Sequence, residues 1–265
     1  MPIRFVEIDG LKVRYSDEGQ GPNLLFLHGW GAGFEAYKPL LGRLAEHHRV
    51  VAPDLPGAGA SQEPAAPWDA ADYVRFAQAL AARIGLTEAV LIGHSHGGRI
   101  ILKWMGAPPA PGAPRVDSVV LFAAAGLRPR RGPAYYARVY AYKAAKWLLR
   151  PWPRALERLR SRAGSADYRA ASPVMRGTLS KLLAEDMAPL LPRIGVPALL
   201  IWGDADTATP LADAERMKAR IPDAGLVVLS GADHWACVRE AARCHRIVTV
   251  FVRDTTTDNN GSDHR

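Results

Sequence analysis

Apolar and polar positions along the chain follow two alternating patterns, which predict strands and helices in turn. Residues 3–8 and 11–17 are strand-like and are joined at Asp9-Gly10, a dipeptide typical of tight hairpins. Short apolar runs lie at 23–28, 49–53, 89–92, 116–123, 198–202 and 226–229. Such runs are typical of strands that are covered on both faces of a parallel sheet.

Helical segments are predicted between these runs, at residues 35–46, 69–84, 99–105, about 210–220 and about 235–252. Strands that alternate with helices favour right-handed βαβ units around a parallel sheet. The sequence therefore predicts an α/β fold with a mostly parallel sheet flanked by helices.

The alternation stops between residues 126 and 190, where helix-like pieces are broken by prolines. This segment, called the cap segment below, predicts an inserted helical cap. The predicted core is then residues 1–125 and 191–254. The polar tail, residues 255–265, is predicted to be disordered.

Composition narrows the class of protein. The chain is 48% hydrophobic and 23% charged, as ordinary soluble globular proteins are. It has no apolar run of the roughly 20 residues that a transmembrane helix needs, and no signal-peptide pattern at its start. The two cysteines, Cys237 and Cys244, are expected to be reduced and buried. We therefore expect a cytoplasmic protein.

The segment Gly93-His94-Ser95-His96-Gly97 predicts a nucleophile elbow, because it lies between an apolar run and a helical segment. A serine nucleophile must project from a tight, strained turn. Gly93 and Gly97 are then crowded against each other, and a β-carbon on either would clash.

A serine hydroxyl needs a base, usually histidine, and a group that holds that base. His234 follows the predicted strand 226–229, and Asp204 and Asp206 follow the strand 198–202. Ligands of open α/β sheets bind at these carboxyl ends of the strands. His234 is therefore the predicted base, with Asp204 or Asp206 as the acid.

With these motifs, the sequence resembles the α/β-hydrolase superfamily from residue 3 to about 252. The acid of that family commonly follows a strand as G-x-x-D, which fits residues 203–206 and favours Asp206 over Asp204. His-Gly-Trp-Gly at 28–31 and Asp-Leu-Pro-Gly-x-Gly-x-Ser at 54–61 resemble pimeloyl-carrier-protein methyl ester carboxylesterases and meta-cleavage product hydrolases. One departure is Asp233, which stands where the family usually has glycine before the histidine.

An oxyanion hole needs two backbone N–H groups aimed at the developing negative charge. The amide of His96, at the start of a helix, is one candidate, and the amide of Trp30 is the other. The His96 ring is expected to point away from the site. His28 and Asp54 are expected to be structural.

The resemblance implies a serine hydrolase that cleaves an ester or thioester through an acyl-enzyme on Ser95. The alternatives are a carbon–carbon bond hydrolase of the meta-cleavage type and a non-catalytic receptor that retains the fold. No cofactor is implied, and the histidines show no metal-ligand spacing.

Positive charge is concentrated in the cap segment. It holds 14 Lys and Arg and four acids, a net +10 in a chain of +8, so the remainder is −2. Arg154 and Arg158 are predicted to share a helix face near Trp152, Leu156 and Leu159. The tyrosines and tryptophans of the segment are expected to supply apolar surface for lining a pocket. Beyond a small acyl substrate, an acidic acyl carrier protein or an anionic membrane would fit such a cap, and a plain solvated surface is the alternative. No nucleic-acid partner is expected.

Overall fold

A computed structural model describes residues 1–108, 111–128, 133–155 and 166–262. Its strands are β1 (Ile3–Ile8), β2 (Leu11–Glu18), β3 (Asn23–Leu27), β4 (Arg49–Pro53), β5 (Glu88–His94), β6 (Arg115–Phe122), β7 (Ala198–Gly203) and β8 (Ala224–Leu229). They form one eight-stranded sheet in the order β1-β2-β4-β3-β5-β6-β7-β8. The pairs β1/β2 and β2/β4 are antiparallel and all other pairs are parallel. The predicted mostly parallel sheet is confirmed.

The first hairpin turns at Asp9 and Gly10, as predicted. Both residues have positive φ, 48° and 77°, and Ile8 pairs with Leu11 across the turn. Two positive φ angles are what a two-residue turn needs to match the twist of its strands.

Helices flank the sheet on both faces. They are α1 (Lys38–Leu44), α2 (Ala70–Arg83), α3 (His96–Gly106), α4 (Pro133–Leu148), α5 (Ala166–Ala170), α6 (Pro173–Ala184), α7 (Leu211–Lys218), α8 (Ala236–Arg239) and α9 (Ala241–Ser262), with 3₁₀ turns at Phe34–Tyr37 and Leu191–Arg193. The start of α2 is specified locally, because Asp69 and Asp72 form a reciprocal capping box.

Alternate residues of the central strands enter opposite halves of the core, because successive side chains of a strand point to opposite faces. Leu25 and Leu91 join the half that α2 and α3 cover. Leu24 and Phe26 join the half that α1, α8 and α9 cover. The continuous apolar runs therefore mark strands that are buried on both faces.

The last predicted helix differs from its prediction in two ways. It is divided at Glu240 into α8 and α9, with the free, buried cysteines Cys237 and Cys244 on either side. In addition, α9 continues to Ser262 through a stretch predicted to be disordered. Val248 and Val252 are buried in the core. A helix anchored in this way extends at little cost, because only its first turn is expensive to form.

The described part of the cap segment holds α4, α5 and α6 and contains no strand. Arg158, which the sequence places beside Arg154, lies outside the described residues. The division of the chain into core and cap stays a prediction.

Candidate active site

The turn between β5 and α3 holds Ser95 in a strained conformation, with φ 51° and ψ −108°. Positive φ is uncommon in residues other than glycine and needs support from the surroundings. The Ser95 N–H donates to the Phe122 carbonyl at 3.0 Å. The Ser95 carbonyl accepts from the N–H groups of Arg99 at 3.1 Å and Ala125 at 2.9 Å. The predicted strand, sharp turn and helix are therefore present around Ser95.

Glycine is required on both sides of this turn because neighbouring backbone lies too close for a β-carbon. A β-carbon on Gly93 would lie 2.6 Å from the carbonyl carbon of Gly97. One on Gly97 would lie 1.9 Å from the carbonyl oxygen of Leu27. The expected crowding of Gly93 against Gly97 is observed, while Gly97 itself is crowded mainly by β3.

The candidate acid and the candidate base meet beside the turn. Asp206 lies after β7 and His234 after β8, and the His234 Nδ1 is 2.8 Å from the Asp206 Oδ2. With Nδ1–H donating to the carboxylate, the neutral imidazole has its lone pair on Nε2. His234 and Ser95 line the same cavity.

The Asp206 carboxylate is fully buried and is held from several sides. Its Oδ1 accepts from the N–H groups of Ala208 at 2.8 Å and Thr209 at 2.9 Å, and its Oδ2 accepts from the Thr209 hydroxyl at 2.8 Å. Burial is the largest influence and raises the pKa of Asp206. The hydrogen bonds from His234 and Thr209 together outweigh it, so the pKa lies below its ordinary value.

Thr209 is a site residue that the sequence did not identify. Its Oγ1 also lies 3.3 Å from the His234 Nδ1, so it touches both members of the acid–base pair. Its position three residues after Asp206 is a spacing at which a carboxylate accepts a backbone N–H. That spacing could have indicated the backbone contact, but not the contact with His234.

A buried chain of three hydrogen bonds runs behind the site. The Gly29 N–H donates to the Tyr37 hydroxyl at 3.0 Å, and that hydroxyl donates to the His94 Nδ1 at 2.8 Å. The His94 Nε2–H donates to the His234 carbonyl at 2.8 Å. Burial lowers the pKa of His94 to about 3, and the neighbouring His234 adds to this effect, so the ring is neutral. The chain joins the loop of Trp30, the strand end before Ser95 and the loop of His234.

The two candidate oxyanion amides lie at the carboxyl ends of the adjacent strands β3 and β5. His96 is the first residue of α3, so its N–H is one of the four that have no partner within the helix. Trp30 follows β3 in the His-Gly-Trp-Gly loop, and both residues line the cavity of Ser95.

The His96 ring lies among aromatic side chains, and its direction away from the site stays a prediction. It packs edge-on against Trp30 and Tyr73, with ring centroids 5.6 and 4.8 Å apart. These two rings enclose it beside the turn, and burial lowers the pKa of His96 to about 3. The ring is therefore a neutral part of the cavity wall.

Two adjoining cavities open at this edge of the sheet. The larger, about 610 Å³, is lined by Ser95 and His234 and by apolar side chains of α6. The smaller, about 310 Å³, lies beyond His96 and reaches Met175 of α6. Both are lined by Gly29, Trp30 and His96. The cap segment thus contributes walls to both cavities.

The sequence profile of the alpha/beta hydrolase fold family matches residues 22–241. The chain belongs to the alpha/beta hydrolase fold family. A pimeloyl-[acyl-carrier protein] methyl ester esterase of Chromobacterium violaceum is 32% identical over 233 residues, which are 82% of this chain and 88% of that protein.

Solved structures extend the comparison. A membrane phospholipase A described as a bacterial virulence factor superposes with a TM-score of 0.77 at 27% identity, covering 96% of this chain and 86% of that one. A meta-cleavage product hydrolase from Pseudomonas fluorescens IP01 superposes with a TM-score of 0.72 at 22% identity, covering 95% and 97%. The latter likeness shows the fold alone.

The remaining candidate carboxylates of this hydrolase serve the loops. Asp204 accepts from the Gly231 N–H at 2.7 Å and so ties the loop after β7 to the loop after β8. Asp233 pairs with Arg239 and accepts from the Trp235 N–H at 3.0 Å. Neither contact involves the His234 ring, which lies 2.8 Å from Asp206 instead.

His28 and Asp54 are structural in the hydrolase, as expected. The His28 Nδ1–H donates to the Gly29 carbonyl at 2.7 Å, and its Nε2 accepts from the Leu55 N–H at 2.8 Å. Buried Asp54 pairs with Arg14 and accepts from the Phe34 N–H at 3.0 Å. These contacts hold the two loops that follow β3 and β4.

The described ranges of the chain hold neither a metal-ligand cluster nor a membrane-spanning helix. No three His, Cys, Asp or Glu side chains converge there in a way that could hold a metal ion. In the same ranges, none of the helices combines the length and the apolar character that crossing a membrane requires.

Proposed function

We propose that the hydrolase cleaves a carboxylic ester or thioester through an acyl-enzyme, with Ser95 as nucleophile, His234 as base and Asp206 as the orienting acid. The observation that carries this proposal is the His234–Asp206 hydrogen bond beside the strained Ser95 turn, in one cavity. A serine nucleophile needs a base beside it to take its proton, and a histidine held by a carboxylate is suited to that task.

The proposed reaction has two stages. The Ser95 Oγ attacks the carbonyl carbon while its proton passes to the His234 Nε2. The oxyanion is stabilised by the amides of Trp30 and His96. The imidazolium then protonates the leaving alkoxide or thiolate. Water, deprotonated by His234, attacks the acyl carbon, and the imidazolium returns the proton to the Ser95 Oγ as the acyl–oxygen bond breaks. Asp206 stays ionised throughout, which its lowered pKa favours.

The proposed substrate class is an acyl ester, a proposal supported by the esterase relative at 32% identity. The larger cavity has room for an acyl chain beside Leu179 and Leu182. Carbon–carbon cleavage is the weaker alternative, because the meta-cleavage likeness at 22% identity concerns only the fold.

Covalent labelling with a fluorophosphonate tests this proposal. We expect the wild-type protein to be labelled and Ser95→Ala to be unlabelled. Turnover of p-nitrophenyl esters by Ser95→Ala should be lower than that of the wild type by a factor of about 10⁴ or more. Ser118→Ala is the matched control, because Ser118 is buried on β6 outside the cavity. A series of acyl-chain lengths would then identify the preferred chain. A wild-type protein that neither labels nor turns over any ester would instead be a receptor that retains the fold.

A further inference from the structure

One stretch of the cap segment carries several cations and no acidic residue. Residues 133–155, called the basic stretch below, contain no Asp or Glu. Its five cations are Arg138, Lys143, Lys146, Arg150 and Arg154. A stretch with cations alone attracts anionic partners at short range.

The same stretch exposes large apolar side chains. The exposed fractions are 65% for Tyr140, 71% for Trp147, 59% for Leu148 and 61% for Trp152. Single exposed apolar residues are normal on a surface, but a cluster of them marks a site of interaction. Four exposed apolar side chains within 13 positions therefore indicate a surface that binds a partner.

The cations and the aromatic rings share one surface. Tyr140, Lys143 and Trp147 stand at i, i+3 and i+7 of α4 and so lie on one face of the helix. The Lys143 Nζ lies 5.7 Å from the centre of the Tyr140 ring. Every residue from 140 to 155 is exposed or half-buried. The helix therefore presents this face to the surroundings rather than to the core.

We propose that the basic stretch binds an anionic lipid surface and holds the protein there without spanning the bilayer. Lys and Arg pair with anionic headgroups, while Trp, Tyr and Leu enter the boundary between headgroups and acyl chains. An acidic carrier protein fits this surface less well. It would engage the cations but leave the four exposed apolar side chains of the basic stretch in water.

Co-sedimentation with lipid vesicles tests the proposal and needs no substrate, so its outcome is independent of the proposed hydrolysis. The full-length protein is mixed with phosphatidylglycerol vesicles or with phosphatidylcholine vesicles at low salt. We expect sedimentation with the anionic vesicles, at least about 10-fold weaker association with the neutral ones, and release at high salt. Protein that stays in the supernatant with both would overturn the proposal, as would equal sedimentation with both.

Two double variants separate the two parts of the surface. Lys143→Gln/Lys146→Gln should weaken partitioning about 25-fold, because each basic residue near an anionic surface contributes about fivefold. Trp147→Ser/Trp152→Ser should weaken it at least about 10-fold and remove the blue shift of tryptophan emission on vesicles.

Phe5→Ser/Lys12→Gln is the matched control. Phe5 is 53% exposed on β1, and the Lys12 Nζ lies 4.8 Å from the centre of its ring, so the pair has the same chemistry outside the cap segment. We expect this control to partition like the wild type. Equal losses in the control and in the cap variants would refute the proposal. So would lysine variants that lose affinity for an acyl carrier protein but keep vesicle binding.

Discussion

At the scale of single residues, the hydrogen bonds of the site form two layers around Ser95. In the first, Asp206 and Thr209 hold the His234 ring. In the second, Tyr37 and His94 hold the backbone at Gly29 and His234. The first layer fixes the orientation of the His234 ring, and the second fixes the distances between the loops. Changes in the two layers should therefore have different kinetic effects.

Asp206→Asn tests the first layer. An amide cannot stabilise the imidazolium as a carboxylate does, so we expect kcat to fall on the order of 10⁴-fold while the fold is kept. Asp204→Asn is the control, because Asp204 lies in the same loop but bonds to Gly231. Ester turnover in both variants is the measurement. A larger loss in the Asp204 variant would show that the acid had been assigned to the wrong residue.

Tyr37→Phe tests the second layer. It leaves the Gly29 N–H and the His94 Nδ1 without their partner, so the loop of Trp30 and the loop of His234 lose their common support. We expect kcat to fall about 10- to 100-fold with little change in KM, because the misplaced groups act mainly on the transition state. Tyr15→Phe, at another buried position, on β2, should keep its kcat. If both variants lost kcat alike, Tyr37 would have no particular part in positioning.

At the scale of elements, α3 has two tasks. Its first residue is the candidate oxyanion donor, and one turn later Arg99 reaches the carboxyl end of α6. The buried Arg99 guanidinium donates to the carbonyls of Leu182 and Glu185. Carbonyls at the end of a helix have no partner within the helix, so Arg99 satisfies them. Lys103, on the same face of α3, pairs with the Glu185 carboxylate. The helix that follows the Ser95 turn thus also anchors α6 beside the cavity.

Arg99→Met should loosen this anchor. The change leaves two carbonyls unpaired in a buried place, so we expect a loss of about 1–3 kcal/mol in the free energy of unfolding. We also expect faster proteolysis within residues 173–190. Lys103→Met removes a partly exposed ion pair and should cost less than about 1 kcal/mol. Urea unfolding and limited proteolysis measure the two effects. Equal stability of the two variants would contradict the anchoring role.

At the scale of the whole molecule, charge is distributed unevenly between surface and interior. The cap segment carries the positive charge of the chain, while the interior near the site holds neutral histidines. Burial lowers the pKa of both His94 and His96 to about 3, against about 6.5 in an unfolded chain. Below pH 6.5 the unfolded state therefore binds protons that the folded state does not. The stabilisation is complete above about pH 6.5 and is lost as the pH falls towards 3.

Stability should therefore decline with acid well before the carboxylates titrate. Each of these histidines contributes a slope of up to about 1.4 kcal/mol per pH unit between about pH 6 and 3. Urea unfolding at pH 7.5, 6, 5 and 4 measures the slope. His94→Gln should flatten it, whereas His47→Gln, at an exposed position, should not. Constant stability from pH 7.5 to 5 would show that the buried rings accept protons.

Much of the fold and part of the site follow from local patterns. The double-sided strands, the Asp9-Gly10 turn and the crowded glycine at 93 are specified by neighbouring residues, so the sequence alone predicts them. The loops of Asp206 and His234 are predictable in the same way, because parallel strands end at one edge of a sheet.

The tertiary structure alone decided what distant segments do to one another. Tyr37 and His94 are 57 positions apart and His94 and His234 are 140 apart, so no periodicity along the chain encodes their contacts. The His96 ring lies against the cavity because Trp30 and Tyr73 enclose it, and those two residues come from other elements. A local pattern specifies backbone conformation and burial. The partners of a buried polar group depend on which segments the packed core brings within hydrogen-bonding distance.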